Sequence, residues 1–344
     1  MLADRSLQVA VLVGGPSSEH YLSQLSGQTI FKNANIGRYT CTLLNWSQDG
    51  WVDESVPGQP EQVVKRHANI FAAFAEPKRF DIVLNMLHGE IECDGRLQGM
   101  FELIGLPFTG NGRVSSQKGM NKVVSKKIVR AAGFLTPDWF AFSREDIASG
   151  KLNIAEKALA FGYPLVVKAA IGGASTSTAL VDSEAELHAA IDTLSSAYDE
   201  FFLERFLNGL EYTVAVFGDA RKKESITLPV ARIAYKGRMF DSATKKGELY
   251  DVVIPSGLGA SDELKLCQMA EQIHADFRFT AFSRVDFRFF EGEPYFLEVN
   301  THPGFGKRSL VPLLLNAGGI ALETAIDWLI ETGLSQSASR AAAK

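Results

Sequence analysis

The stretch Phe282-Ser-Arg-Val-Asp-Phe-Arg-Phe-Phe-Glu-Gly-Glu-Pro-Tyr-Phe-Leu-Glu-Val-Asn300 constrains this chain more than any other. Apolar and polar residues alternate with period two on both sides of Glu291-Gly292-Glu293, the pattern of a β-hairpin. A turn centred on Gly292 sets Asp286 opposite Glu298 and Arg284 opposite Asn300. Like charges directly opposite one another destabilise a sheet. Both acids sit among Phe and Leu, where unpaired carboxylates are costly to bury. A bound cation removes that cost. Two carboxylates and an amide carbonyl suit a hard ion, most often Mg²⁺ shared with substrate phosphates. The plainer reading is that Arg284 and Arg288 pair with these acids on a solvated face. Thr301-His302-Pro303-Gly304-Phe305-Gly306 follows at once, and a glycine-rich turn after a ligand-bearing strand allows close approach of a substrate.

The chain has 344 residues, more than one core usually serves, which predicts two or three domains. A net charge of −5 argues against a nucleic-acid partner, while leaving room for local basic clusters. Cys41, Cys93 and Cys267 are odd in number and widely spaced. They form no disulfide or zinc pattern, so a reducing, cytoplasmic location is expected. The N-terminus has no apolar signal region and no run reaches membrane-spanning length, so no membrane partner is expected. Residues 335–344 read as a disordered tail.

The first third alternates strand and helix. Gln8–Val13 reads as a strand running into Gly14-Gly15-Pro16-Ser17-Ser18-Glu19, with a helix from about Tyr21. Thr40–Leu44 and Ile82–Met86 read as strands, the second followed by His88-Gly89, Asp94-Gly95 and a helix opening near Gln98. This order implies an α/β unit with a parallel sheet, whose ligands bind beyond the carboxyl ends of the strands. A helix is expected over about Lys118–Ala132, broken by Gly133 and Pro137. A second alternating unit follows: strand Tyr163–Lys168, a flexible stretch Ala169–Thr178, helix Glu184–Ser196, and strands Phe201–Arg205 and Glu211–Gly218. Ile226–Arg232 and the hairpin share a further sheet. Between them, Tyr235–Glu248 is polar, too long for a tight turn, and has the character of a lid.

No Walker sequence occurs, so phosphate binding must come from elsewhere. Lys168 ends a strand just before Gly172-Gly173-Ala174-Ser175-Thr176, a plausible phosphate cradle of point charge and exposed amides. A surface lysine beside a mobile loop fits the same residues. Lys122 is one of several lysines on its helix. Glu204 and Glu211 bracket Arg205–Leu210, where Phe206 and Leu207 could line an adenine slot and Glu211 could meet ribose hydroxyls. Solvated acids beside a turn are the alternative.

Together these segments closely resemble the D-alanine–D-alanine ligase family of ATP-grasp enzymes, from about Val9 to Ile330. Val11-Leu-Val-Gly-Gly-Pro-Ser-Ser-Glu19 resembles the family's opening loop. Leu87-His88-Gly89, Asp94-Gly95-Arg-Leu-Gln98-Gly99 and Gly105-Leu-Pro-Phe-Thr-Gly110 resemble its second motif, and Met120-Asn121-Lys122 its nucleotide-contacting lysine. Arg284-Val-Asp286, Glu298-Val-Asn300-Thr-His-Pro-Gly304 and Ser309-Leu-Val-Pro312 resemble its metal and substrate motif.

The resemblance implies an ATP-grasp fold in three parts: an N-terminal α/β domain over 1–112, a central domain over 113–208 and a C-terminal domain over 209–334. It implies that ATP activates a carboxylate as an acyl phosphate, which an amine converts to an amide. It implies that Asp286, Glu298 and Asn300 hold two Mg²⁺ (or Mn²⁺) ions, and that Lys122, Lys168 and Ser175 lie at ATP phosphates. Glu204 then meets the adenine side and Glu211 the ribose. Arg284 and the Gly304 amide stabilise the oxyanion, Lys245 and Ser309 hold the second amino acid's carboxylate, and His88 lies near the first substrate. For His88, a structural cap after the strand is the other reading. The family also suggests a homodimer acting on a small carboxylate and an amino-acid amine.

Three departures fall together. The family's glutamate two places after the Glu19 position, which binds the first substrate's ammonium, is Tyr21 here. A serine bonded to it is Ala174, and the lid tyrosine completing that network is Lys246. A site stripped of an ammonium's partner binds that ammonium poorly. The expectation is therefore an altered first-substrate subsite with poor use of D-alanine there. An ordinary D-alanine–D-alanine ligase is the alternative.

Overall fold

The structure is a computed structural model and describes residues 5–17, 19–48, 50–54, 63–76, 78–173, 177–240, 244, 247 and 249–342. Among these residues the strands form three sheets.

The first sheet has the order β4-β3-β2-β1-β5. β1 (Leu7–Gly14) lies parallel to both β2 (Tyr39–Ser47) and β5 (Ile82–Asn85). Val9 to Val13 are buried throughout, as an unbroken apolar run requires when helices cover both faces. The glycine loop after β1 and His88-Gly89 after β5 therefore emerge at the same edge. β3 (Gly50–Glu54) and β4 (Val63–His67) extend this sheet antiparallel. Sequence reading missed both: they are five residues each and mix apolar with charged residues.

The second sheet is antiparallel, in the order β6 (Trp139–Ser143), β9 (Glu200–Arg205), β7 (Leu165–Ala169), β8 (Thr178–Val181). Leu165, Val167, Phe201 and Leu203 pack with the helices Ile154–Phe161 and Glu184–Ser195. Strand alternation sends their neighbours Lys168, Phe202 and Glu204 to the opposite face.

The third sheet runs β13 (Tyr250–Val253), β12 (Ala231–Tyr235), β10 (Leu210–Asp219), β14 (Phe282–Phe290), β15 (Glu293–Asn300), with β11 (Glu224–Thr227) also paired to β10. The helix Ala260–Asp276 covers one face through Leu266, Met269 and Ile273. On the other face Ala215, Phe217 and Phe282 share a core with Val9, Val11 and Leu84 of the first sheet.

The β14–β15 register pairs Asp286 with Glu298 and Arg284 with Asn300, as expected, but by a different route. The turn is the two-residue Glu291-Gly292, with Phe290 opposite Glu293. Both residues have positive φ, 51° and 81°, as a type I′ hairpin demands. That turn alone sets Asp286 opposite Leu297. A bulge between Asp286 and Phe287 shifts the register by one and restores the acid pair.

Three expectations are corrected. The single helix over Lys118–Ala132 is two, Arg113–Met120 and Lys122–Ala131. Asn121 separates them and caps the second by accepting from the Val124 amide at 3.0 Å. The strand Ile226–Arg232 is split between β11 and β12 around Pro229, which has no N–H for the ladder. The tail is helical as far as it is described: the last helix runs Leu322–Ala342, and Gln336 is buried and donates to the Thr280 carbonyl at 3.0 Å. Within Tyr235–Glu248, residues 241–243, 245, 246 and 248 lie outside the described residues. Among the described residues no single helix is long and apolar enough to cross a membrane.

Candidate active site

A cavity of about 1160 Å³ takes its walls from all three sheets. It gathers most of the residues singled out from sequence: Glu19, Tyr21 and His88 from the first sheet's loops and the helix after them, Lys122, Lys168 and Glu204 around the second sheet, Phe206 and Leu207 between β9 and β10, and Glu211 on β10. Arg284, Asp286, Glu298, Asn300, Gly304 and Ser309 complete it. Ala174, Ser175, Lys245 and Lys246 lie outside the described residues.

At one end Lys168 donates to Glu204 Oε1 at 2.8 Å. The other carboxylate oxygen is ion-paired with Lys126, which also donates to Thr136 Oγ1 at 2.8 Å. Burial pulls the Lys126 ammonium down to about 8 against the opposing pull of Glu204. Burial pushes the Glu204 carboxyl up, but Lys126 and Lys168 together outweigh it and hold it below its usual range. Glu204 is thus no solvated acid. Sequence reading passed over Lys126, although its i, i+4 spacing from Lys122 puts both on one helix face. Lys122 is buried, donates to the Gly172 carbonyl at 2.5 Å and lies 3.6 Å from Glu298.

Glu211 accepts from Arg288 at 3.1 Å and from the Tyr235 hydroxyl at 3.0 Å. Burial, opposed by Arg288, raises its carboxyl above the usual range. Burial, and then Glu211, pushes the Tyr235 phenol up to about 12. Arg288 therefore serves Glu211 and not the Asp286–Glu298 pair.

Asp286 is saturated with donors. Its Oδ1 accepts from Thr213 Oγ1 at 2.6 Å and Arg284 Nε at 3.0 Å. Its Oδ2 accepts from Arg284 Nη2 and Asn300 Nδ2, each at 2.8 Å. The plainer reading of Arg284 is partly right: it pairs with Asp286, though half-buried in the cavity wall and not on a solvated face. Among the described residues no cluster of three or more His, Cys, Asp or Glu stands ready for a metal. The donor set is two opposed carboxylates and Asn300, whose amide nitrogen is spent on Asp286 and whose carbonyl oxygen remains for a cation. Few protein oxygens on a cavity wall fit Mg²⁺, which keeps much of its shell for water and substrate oxygens.

A Cβ on Gly173 would stand 3.2 Å from Glu19 Oε2, so the Glu19 carboxylate lies against the loop after Lys168. Tyr21 sits on the rim, 67 % exposed. The carboxylate on this wall is Glu19's. His88 Nε2 lies 2.9 Å from Ser26 Oγ, which accepts from the Phe305 amide at 3.0 Å. Ser26 thereby ties His88 to the loop carrying Gly304. A Cβ on Gly304 would stand 2.9 Å from Ser309 Oγ and 3.7 Å from His88 Nε2, so the Gly304 backbone lies close to both side chains. Behind it, His302 donates from Nε2 to the Asn85 carbonyl at 2.7 Å, and burial with His88 nearby pushes its pKa down to about 3. Ser26 carried no sequence signal and His302 none for its bond, because their partners lie 62 and 217 residues away.

Lysines and paired acids on two facing sheets define an ATP-dependent, ADP-forming ligase of the ATP-grasp class that makes amide bonds. Family models described as D-ala D-ala ligase N-terminus and C-terminus match residues 8–111 and 128–331. The chain belongs to the D-alanine–D-alanine ligase family. It is 32% identical to the D-alanine–D-alanine ligase of Nitrosomonas europaea, covering 94% of this chain and 96% of that one. It is 30% identical to that of Clostridium beijerinckii, covering 96% and 100%. Among solved structures it resembles the Bacillus anthracis D-alanine–D-alanine ligase complexed with ATP (TM-score 0.78, 27% identity, 97% and 99% covered). It also resembles the VanG D-Ala:D-Ser ligase from Enterococcus faecalis (TM-score 0.80, 28% identity, 96% and 100% covered).

Proposed function

We propose that this chain joins two amino acids, the first activated at its carboxylate by ATP and bound with its ammonium toward Glu19. The observation that carries this reading is the Glu19 carboxylate on the wall of the cavity that also holds Lys168 and the Asp286–Glu298 pair. The first substrate's carboxylate oxygen attacks the γ-phosphorus and ADP leaves. The amine of the second substrate then attacks the acyl carbon, and phosphate leaves as the amide forms. Lys122, Lys168 and Ser175 hold phosphates, Glu204 meets the adenine side and Glu211 the ribose. Arg284 and the Gly304 amide face the oxyanion, a contact of a type worth about 3 kcal/mol per donor. Lys245 and Ser309 hold the second substrate's carboxylate, and His88 borders the first substrate. Asp286, Glu298 and Asn300 would hold two Mg²⁺ ions, which supply charge neutralisation for the transferring phosphoryl group. We read the chain as three parts, 1–112, 113–208 and 209–334, acting in the cytoplasm as a homodimer.

Tyr21, Ala174 and Lys246 change what surrounds the first substrate rather than removing its anion. A second reading, in which the first substrate lacks a free ammonium, is favoured by the exposed aromatic Tyr21 at the rim. A phosphate-release screen over pairs of D- and L-amino acids and non-amino carboxylates, with mass spectrometry of products, separates them. Turnover with amino acids as the activated partner is expected. Faster turnover with hydroxy acids or other non-amino carboxylates in that role would establish the second reading instead.

A further inference from the structure

We infer that Lys126 is a positioning residue for nucleotide binding: it neutralises Glu204 from behind, so that Lys168 can leave that carboxylate and turn to a phosphate. The inference rests on the nucleotide reading of this end of the cavity. Glu204 is 2 % exposed and each of its oxygens meets one lysine. Lys168 borders the cavity, whereas Lys126 is fully buried and does not reach it. The two lysines are therefore not equivalent: one can be recruited by an incoming anion and the other cannot. Both ammonium groups stand 5.9 Å from the Phe202 ring, which gives the cluster an apolar floor.

Charge decides the rest. With Lys168 alone, its departure strands a buried carboxylate with no cation, a state that costs several kilocalories in measured cases. Lys168 would then be locked to Glu204 and lost to the nucleotide. With Lys126 in place the carboxylate keeps a partner throughout, and the cluster of two cations and one anion has a surplus positive charge for a phosphate. Thr136 Oγ1 accepts from Lys126 and fixes the ammonium behind the strand. The other charged groups facing Lys126 are Glu298 from β15 and Lys168 from β7, with Lys122 one turn earlier on its own helix.

Calorimetric titration of the full chain with Mg-ATP tests this. Lys168→Met is the reference: if it leaves ATP affinity intact, the nucleotide reading of this end fails, independently of Lys126. Given that reading, Lys126→Met is expected to weaken ATP binding roughly thirtyfold or more, with kcat at saturating ATP far less affected. In a Glu204→Gln background there is no carboxylate to neutralise, and the same substitution should then cost less than about threefold. A folded Lys126→Met protein with near-wild-type affinity, or an equal loss in both backgrounds, overturns the proposal. If Lys126→Met does not fold, Lys126→Gln takes its place with the same expectation, and near-wild-type affinity or an equal loss in both backgrounds again overturns the proposal.

Discussion

Asp286 accepts four hydrogen bonds and Glu298, opposite it, accepts far fewer: its side chain is 38 % exposed, with Lys122 3.6 Å away. The two acids therefore have different tasks. Asp286 is fixed, and Glu298 is the one able to adjust to an arriving cation. Glu298→Gln and Asp286→Asn are each expected to reduce product formation at least about a thousandfold, and excess EDTA to abolish it. Phosphate release at wild-type rate in either variant, or in EDTA, would contradict the metal assignment. Glu19→Gln should raise the KM of the activated substrate about thirtyfold or more and leave that of the amine partner nearly unchanged. His274 supplies a stability test away from the site. It donates from Nε2 to the Gly218 carbonyl at 3.1 Å and accepts at Nδ1 from Ser283 at 2.8 Å, and burial pushes its pKa down from 6.5 to about 4. Between those values the unfolded chain binds a proton that the folded chain refuses. Stability should fall as pH drops from 6.5 to about 4, by up to about 1.4 kcal/mol per pH unit. Urea unfolding of His274→Gln should show a shallower slope across that window.

Elements decide which of these residues can meet. The hairpin's alternation makes its pairing legible, yet the acid pair depends on the bulge that absorbs Leu297. Nothing in a period-two pattern marks that extra residue, because a one-residue slip still looks like alternation. The segment after β12 is tied down at its start: Arg238 grips Asp182 beyond β8 with a bond of 2.8 Å from Nη1. This bond links the third sheet's loop to the second sheet. Proteolysis within Tyr235–Glu248 should slow when ATP and both substrates are added, and Arg238→Ala should weaken that protection. Equal cleavage with and without ligands would show that the segment is no lid.

Across the whole molecule, Asn111 joins the end of the first sheet's domain to the strands that carry the acids. Its Nδ2 donates to the Phe282 and Thr301 carbonyls at 2.7 and 2.8 Å. Its Oδ1 accepts from the Thr280 and Ala281 amides at 2.9 and 3.2 Å. The residue is buried, so Asn111→Ala leaves several main-chain groups unsatisfied and should cost about 3 kcal/mol or more. A shift of the urea midpoint with unchanged slope is the expected signature.

Some of this was written locally. β1 is buried on both faces because its apolar run is continuous, the hairpin alternates because one face is packed, and the loops after β1 and β5 follow from parallel strand order. Each of these needs only neighbours in sequence. The family motifs likewise named Lys168, Glu204, Asp286 and Glu298. The partnerships were not legible: Lys126 with Glu204, Ser26 with His88, Arg288 with Glu211 and Asn111 with β14 join residues 62 to 171 apart. Gln336 shows the same limit, since a Ser- and Ala-rich tail looks unstructured until a buried carbonyl waits for its amide. Sequence sets which groups exist and their local periodicity. Burial and charge pairing depend on what the packed chain brings alongside, and only the tertiary structure supplies that.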